Sequence, residues 1–219
     1  NNKVRRKEIF IEFVSEKFKI IKSEILKVYN YLEKYEFLQK EEIVRKSKYV
    51  AKWYQDIEKN NFSIYNDLYY LVYGFLCWSK ISKPILYDIK YGWDNIKVFG
   101  EKKRSDIKSV LDVGCGIGFT TLYLAKLFLN AQIYATNFPD SMQNDIKETL
   151  KYDKKRIHFI YSLDPWKKLL KKYDIIFCIE YFEHIFYPIA ELRKIINLNP
   201  EWIVTSNSFG VVASGHFIE

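Results

Sequence analysis

Residues 110–126 read VLDVGCGIGFTTLYLAK, and no other stretch restricts the fold as tightly. A short apolar run ends in an acid, Asp112, and enters a turn where Gly114, Gly116 and Gly118 alternate with Cys115 and Ile117. Glycine is needed where the chain takes positive φ or lets a ligand touch its backbone. Beyond the turn, Leu122, Leu124, Ala125 and Leu127 can pack along one helix. A strand that turns through glycines into a helix presents the helix's first, unpaired N–H groups at the turn. This is the arrangement of a nucleotide-type cofactor loop; its alternative is a tight strand–helix turn that holds nothing.

The spacing decides between loops of this kind. A dinucleotide loop takes G-x-G-x-x-G with a last glycine for close helix packing. Counted from Gly114, that position is Phe119, which is too bulky. A phosphate-binding P-loop needs G-K-[ST], whereas Phe119 and Thr120 follow Gly118. The pattern D-V-G-C-G-I-G, with its acid two residues before the first glycine, resembles motif I of the class I S-adenosylmethionine (SAM)-dependent methyltransferases. That resemblance implies SAM as cofactor. Gly114, Cys115, Gly116 and Gly118 would admit its methionine part, and Asp112 would lie close to its amino group.

The 219 residues suffice for one ordinary domain with an extension, and 48% hydrophobic content with 18% aromatics supports a true core. Cys77, Cys115 and Cys178 are too far apart for a zinc or disulfide pattern, and the histidines complete no metal cluster. A reduced, cytoplasmic protein is expected. Glu12, Glu16 and Lys17 interrupt the first apolar residues, so no secretory signal is read, and the start at Asn1 reads as trimmed. The longest apolar run, residues 68–78, is too short to span a bilayer. The charge is uneven: residues 1–109 hold 23 Lys and Arg against 15 Asp and Glu, and residues 110–219 hold 12 of each. A basic first half suits an acidic partner such as nucleic acid. Alternating solvated helix faces give the same composition.

Residues 1–105 read as a helical extension or cap, and residues 106–219 as the cofactor-binding domain. In the extension, Ile11, Phe18, Ile25 and Leu32 recur every seven residues, as do Val14, Ile21, Val28 and Tyr35. This predicts one long amphipathic helix over 8–38 that packs on the following helices or pairs with a second copy in a homodimer. Two further helices are expected at 41–59 and 62–80, the second aromatic on nearly every face, then an irregular connector punctuated by Pro84, Gly92 and Gly100. From residue 109 strands are expected at 109–113, 132–136, 156–160, 175–179 and 202–205. Helices are expected at 119–129, 140–152, 166–172 and 188–198. The alternation predicts an α/β fold: a doubly wound, mostly parallel sheet with helices on both faces. Ligands in such sheets bind at the carboxyl ends of the strands.

The family's fold assigns roles along those strand ends. After the second strand, where an acid usually holds the ribose, this chain has Asn137, Phe138, Pro139 and Asp140. Asn137 can both donate to and accept from hydroxyls, and Asp140 is equally suited to capping the next helix. After the third strand, Leu163 or Asp164 would meet the adenine. The fourth strand leads into IEYFEHI, which closely resembles the family's segment of strand, acid and E-H. Glu180 would contact cofactor or nucleophile, and Tyr181 and Phe182 would wall the sulfonium, since aromatic faces attract cations. Glu183 and His184 would accept a proton, with imidazole the better base near neutrality; the alternative is that E-H only shapes the turn. His158 reads as a strand residue and His216 as a modest substrate contact.

The expected activity is methyl transfer from SAM to an oxygen or nitrogen of a small-molecule substrate or biosynthetic intermediate, with the extension closing the site. Three alternatives stay open. A nucleic-acid methyltransferase would use the basic, aromatic extension, although N-P-P-[YF] and a catalytic Pro-Cys are absent from the sequence. A SAM-cyclising enzyme would release methylthioadenosine and azetidine-2-carboxylate. A degenerate fold would serve only for interaction. The family sheet has seven strands, and this chain stops soon after the fifth. The remaining strands are therefore expected beyond this chain, or the sheet is completed otherwise.

Overall fold

The computed structural model describes residues 2–35, 72, 74–76, 78–137, 139, 152–162, 164–185 and 187–207. Its centre is a five-stranded sheet. The strands are β1 (Ser109–Asp112), β2 (Gln132–Asn137), β3 (Ile157–Tyr161), β4 (Ile175–Ile179) and β5 (Trp202–Ser206). They lie in the order β3-β2-β1-β4-β5, and every pairing is parallel. The doubly wound α/β expectation therefore holds, with each strand within a residue or so of its expected bounds.

Period-two side-chain alternation splits the apolar strands between two cores. Val110, Ile175, Phe177 and Ile179 join Leu124, Leu127 and Phe128 on one face, together with Leu86 and Trp93 from the extension. Leu111, Val113, Ile176 and Cys178 join Tyr173, Phe182, Ile195 and Leu198 on the other. The first face is covered by α3 (Lys83–Tyr91) and α4 (Phe119–Leu127), and the second by α5 (Pro188–Ile196). Burial pushes the Tyr173 hydroxyl up to about 12 while its oxygen accepts from the Leu170 amide at 3.1 Å.

Two arginines close the far end of α4. A helix leaves its last carbonyls without intrahelical donors. Arg104 donates to the Leu127 carbonyl at 3.0 Å while its other nitrogens hold Asp94 at 2.7 and 3.0 Å. Arg156 donates to the Ala125 carbonyl at 2.6 Å and to that of Leu129. Cations at a helix C-terminus also meet the negative end of its dipole.

The extension departs from expectation in two places. The single helix over 8–38 is two helices, α1 (Asn2–Phe18) and α2 (Lys22–Tyr35), because Lys19 takes φ 56° and turns the chain. The pair is antiparallel: Lys7 donates to Asn30 at 2.8 Å, and Lys22 pairs with Glu12. Heptad positions Val14, Ile25 and Val28 are buried within this one chain, whereas Ile21, at the bend, is 71% exposed. The connector expected to be irregular is helical. A π-helical turn (Trp78–Ser82) runs into α3, and a second (Gly92–Ile96) follows it. Pro84 is tolerated because it falls in the first turn of α3, where no backbone N–H is needed. The helix expected over 166–172 is one 3-10 turn, Trp166–Lys168. Those expected at 41–59 and 140–152, and most of 62–80, lie outside the described residues.

The edge opposite the strand carboxyl ends is tied by Asp174. Its Oδ2 accepts from the amides of Lys108 (2.6 Å) and Ser109 (2.9 Å), and Lys102 Nζ stands 3.8 Å from Oδ1. Partial burial opposes ionisation, but those amides and the Lys102 charge hold the carboxyl below its usual range. A depressed folded value means stability that is present above the unfolded carboxylate pKa of roughly 4 and is lost as pH falls through the folded value. Asp174→Asn is therefore expected to cost roughly 1–3 kcal/mol at pH 7. Urea denaturation at pH 7 and pH 3 should show the difference between variant and wild type shrinking at the lower pH.

Candidate active site

The strand order reverses between β1 and β4, the place where open parallel sheets leave a crevice at their carboxyl ends. The glycine loop leaves β1 on one side of that crevice, and the turn after β4 closes the other.

The loop has the conformation its glycines permit: φ is 71° at Gly114, 52° at Gly116 and 83° at Gly118. L side chains rarely adopt these values, which explains glycine at every second position. The loop is pinned from beneath by β2. The Gly114 amide donates to Thr136 Oγ1 at 3.3 Å, and the Cys115 amide to the Thr136 carbonyl at 2.8 Å. Asp112, only 2% exposed, accepts a 2.6 Å hydrogen bond from Thr121 Oγ1. One carboxylate thus ties the end of β1 to the first turn of α4, across the loop between them. Cys178 lies beneath, its thiol pushed up by burial and then by the carboxylates of Asp112 and Glu191.

The turn after β4 begins with strain. Glu180 has φ 51°, in the left-handed region that a residue with a Cβ enters at a cost. Its amide donates to the Ser206 carbonyl at 2.6 Å. Asn207, just past β5, then accepts through Oδ1 from the amides of Tyr181 (3.3 Å) and Phe182 (2.9 Å). The one-turn helix Phe182–His184 follows, with Phe182 and Glu183 buried and His184 only partly so. The Tyr181 hydroxyl donates to Glu191 Oε1 at 2.9 Å, which aims its ring back over the glycine loop. A methyl group on Gly114 would lie 2.5 Å from Tyr181 Cδ2.

The expected site residues thus fall into three groups. Asp112, Gly114, Cys115, Gly116 and Gly118 form one loop, in contact through Tyr181 with the segment holding Glu180, Glu183 and His184. Asn137 ends β2 opposite Tyr161 of β3, at the same edge of the sheet, and Asp164 stands in the exposed turn beyond β3. Phe138, Leu163, Asp140 and His216 lie outside the described residues. His158 is in β3, away from the crevice, bonded to Gln132 at 2.9 Å. Thr121, Thr136, Glu191 and Asn207 were not foreseen. Only a residue-by-residue pairing of strand ends would have singled out Asn207, because a lone Asn after a strand carries no motif.

Residues 87–206, more than half of the chain, match the family described as Methyltransferase domain, and the chain belongs to that family. It is similar to (S)-coclaurine N-methyltransferase of Thalictrum flavum subsp. glaucum, with 33% identity over 105 residues. That match covers 46% of this chain and 28% of the plant enzyme, so the chain spans well under half of its relative. Among solved structures, a SAM-dependent methyltransferase from Aquifex aeolicus is 28% identical with a TM-score of 0.39, covering 55% of this chain and 65% of that one. A coclaurine N-methyltransferase bound to N-methylheliamine and SAH is 26% identical with a TM-score of 0.39, covering 52% and 32%.

Gly114→Ala is expected to destabilise the fold by about 1–2 kcal/mol from its backbone conformation alone, with a further loss from the clash with Tyr181. Urea denaturation of Gly114→Ala, Tyr181→Ala and the double variant separates the two. The clash appears as a non-additive remainder that vanishes once the ring is gone.

Proposed function

We propose that this chain is the cofactor-binding part of a SAM-dependent methyltransferase that acts on a nitrogen or oxygen of a small molecule. The observation that carries the reading is the meeting, at the sheet's reversal point, of a left-handed glycine loop with the Glu180–His184 turn, through Tyr181 on Gly114. The residues present fit the cofactor. Loop backbone free of Cβ atoms admits its methionine part, the buried charge of Asp112 attracts its ammonium group, and Asn137 at the end of β2 offers a donor and an acceptor to the ribose. Leu163 or Asp164 is assigned to the adenine. When bound, SAM supplies a methyl group on a positively charged sulfur.

The protein's own part is to hold, shield and deprotonate. Tyr181 presents an aromatic wall suited to a cation, and Glu191 keeps its ring in place. Glu180, strained at the strand end, sets a carboxylate toward the incoming nucleophile. His184 takes the proton from the acceptor atom, and Glu183, fully buried beside it, holds the turn from inside. In-line displacement depends more on near-attack positioning than on a strong base, so the one imidazole that the described residues bring to this turn, His184, suffices. The extension closes over the cofactor end: Phe75 and Trp78 meet Phe119, the residue after the last loop glycine.

A small-molecule acceptor is preferred to nucleic acid because several cations of the basic first half already face carboxylates. Lys97 pairs with Glu101, Lys102 with Glu201, and Arg104 with Asp94. Among the described residues no helix is long and apolar enough to cross a membrane. An amine acceptor is the first to test, given the N-methylating relative.

The test is incubation with SAM, first alone and then with a panel of amines and phenols, followed by mass spectrometry. Mass gain of 14 Da on an acceptor, a methylene's worth, is expected, with SAH as the other product. Methylthioadenosine formed without an acceptor would overturn methyl transfer in favour of SAM cyclisation. His184→Ala is expected to lower kcat about 10²–10⁴-fold and to leave SAH affinity within a few-fold of wild type by calorimetry.

A further inference from the structure

We propose that Trp78 is a cofactor-binding residue whose indole N–H is held for the methionine carboxylate of SAM, an inference that rests on the SAM reading above. The Nε1 atom of Trp78 is closed off from solvent and has no hydrogen-bond partner among the described residues. Buried donors are almost always paired, and an orphaned one forgoes the hydrogen bonds it made with water. A protein that tolerates this gains when a ligand brings the missing acceptor.

The surroundings say what kind of acceptor. The Trp78 ring meets the Phe119 ring edge-on, with centroids 4.8 Å apart and planes at 62°. Phe119 follows Gly118 and opens α4, whose first amides lack intrahelical acceptors and whose N-terminus carries partial positive charge. Lys83 Nζ stands 5.7 Å from the centre of the indole. An indole donor, a helix N-terminus and an ammonium group in one neighbourhood favour an anion over a neutral carbonyl. The glycine loop beside them is assigned to the methionine part of SAM, which carries one carboxylate.

The ring that the indole meets is itself packed. Phe75 edges onto Phe119 at 6.4 Å and stacks on Phe10 of α1 at 4.2 Å with planes 14° apart. The extension thus reaches the cofactor loop through packed rings, and Trp78 is the polar group within that contact.

The test compares wild type with Trp78→Phe, which keeps a ring and removes the N–H. Two ligands are titrated by calorimetry: SAH, and S-adenosyl-3-thiopropylamine, which lacks only the carboxylate. The expected result is about a tenfold weaker SAH Kd in the variant, equal affinities of the two proteins for the decarboxylated ligand, and no fall in the ligand-free melting temperature. Equal SAH affinities in the two proteins overturn the proposal, and so does equal weakening toward both ligands. Should Trp78→Phe disturb packing, replacement of Trp78 by 3-benzothienylalanine, with sulfur in place of N–H, makes the same comparison at constant shape. Failure of wild type to bind SAH at all would instead remove the SAM reading, and this assignment with it.

Discussion

A carboxylate removed from water must be met by a donor, and the Asp112–Thr121 hydrogen bond is where this structure meets that demand. Hydrogen bonds to a charged group are worth roughly 1.5–3 kcal/mol, and a buried charge left alone costs far more. The end of β1 and the start of α4 are therefore held at one separation, and the loop between them has few ways to close. Its three left-handed glycines are the solution available to L-amino acids. Thr136 then fixes the loop to β2 through side chain and backbone. Glycine loop, sheet and first covering helix are joined through this one buried carboxyl group and Thr136.

The opposite wall depends on a different economy of polar atoms. Asn207 serves two consecutive amides with one oxygen, and the backbone strain at Glu180 persists because β5 grips the turn from both sides. A glycine or asparagine would take that conformation more easily. Glutamate there is thus hard to explain by backbone geometry alone and is natural if its carboxylate is used.

The sheet could be read from the sequence because short apolar runs alternated with glycine, proline and charged punctuation, as in the five residues Ile175–Ile179. The glycine loop was legible for the same reason, since its geometry is written in residue types. The extension was less so. The heptads of residues 8–38 fit one long helix and two shorter antiparallel ones alike, and the observed pair buries Val14, Ile25 and Val28 of that seam while exposing Ile21. The bend at Lys19 carries no glycine or proline to announce it. Pro84 and Gly92 looked like breakers, yet both fit helical backbone, Pro84 in a first turn and Gly92 at φ −58°. Asn207 and Trp78 act through atoms brought together by the fold, and local pattern has no access to such pairings.

The stack of Phe10, Phe75 and Phe119 has a consequence for the order in which the protein is made. Synthesis runs from the N-terminus, so Phe10 and Phe75 leave the ribosome before the helix they pack toward exists. The sheet cannot close until β4 and β5 follow, because β1 lies between β2 and β4. For that interval Val72, Phe75 and Leu76, all buried in the folded chain, lack the helix whose Phe119 meets Phe75. Chains with exposed apolar surface during synthesis are the ones that aggregate or recruit chaperones. The packed rings of the extension are thus a vulnerable part of the nascent chain.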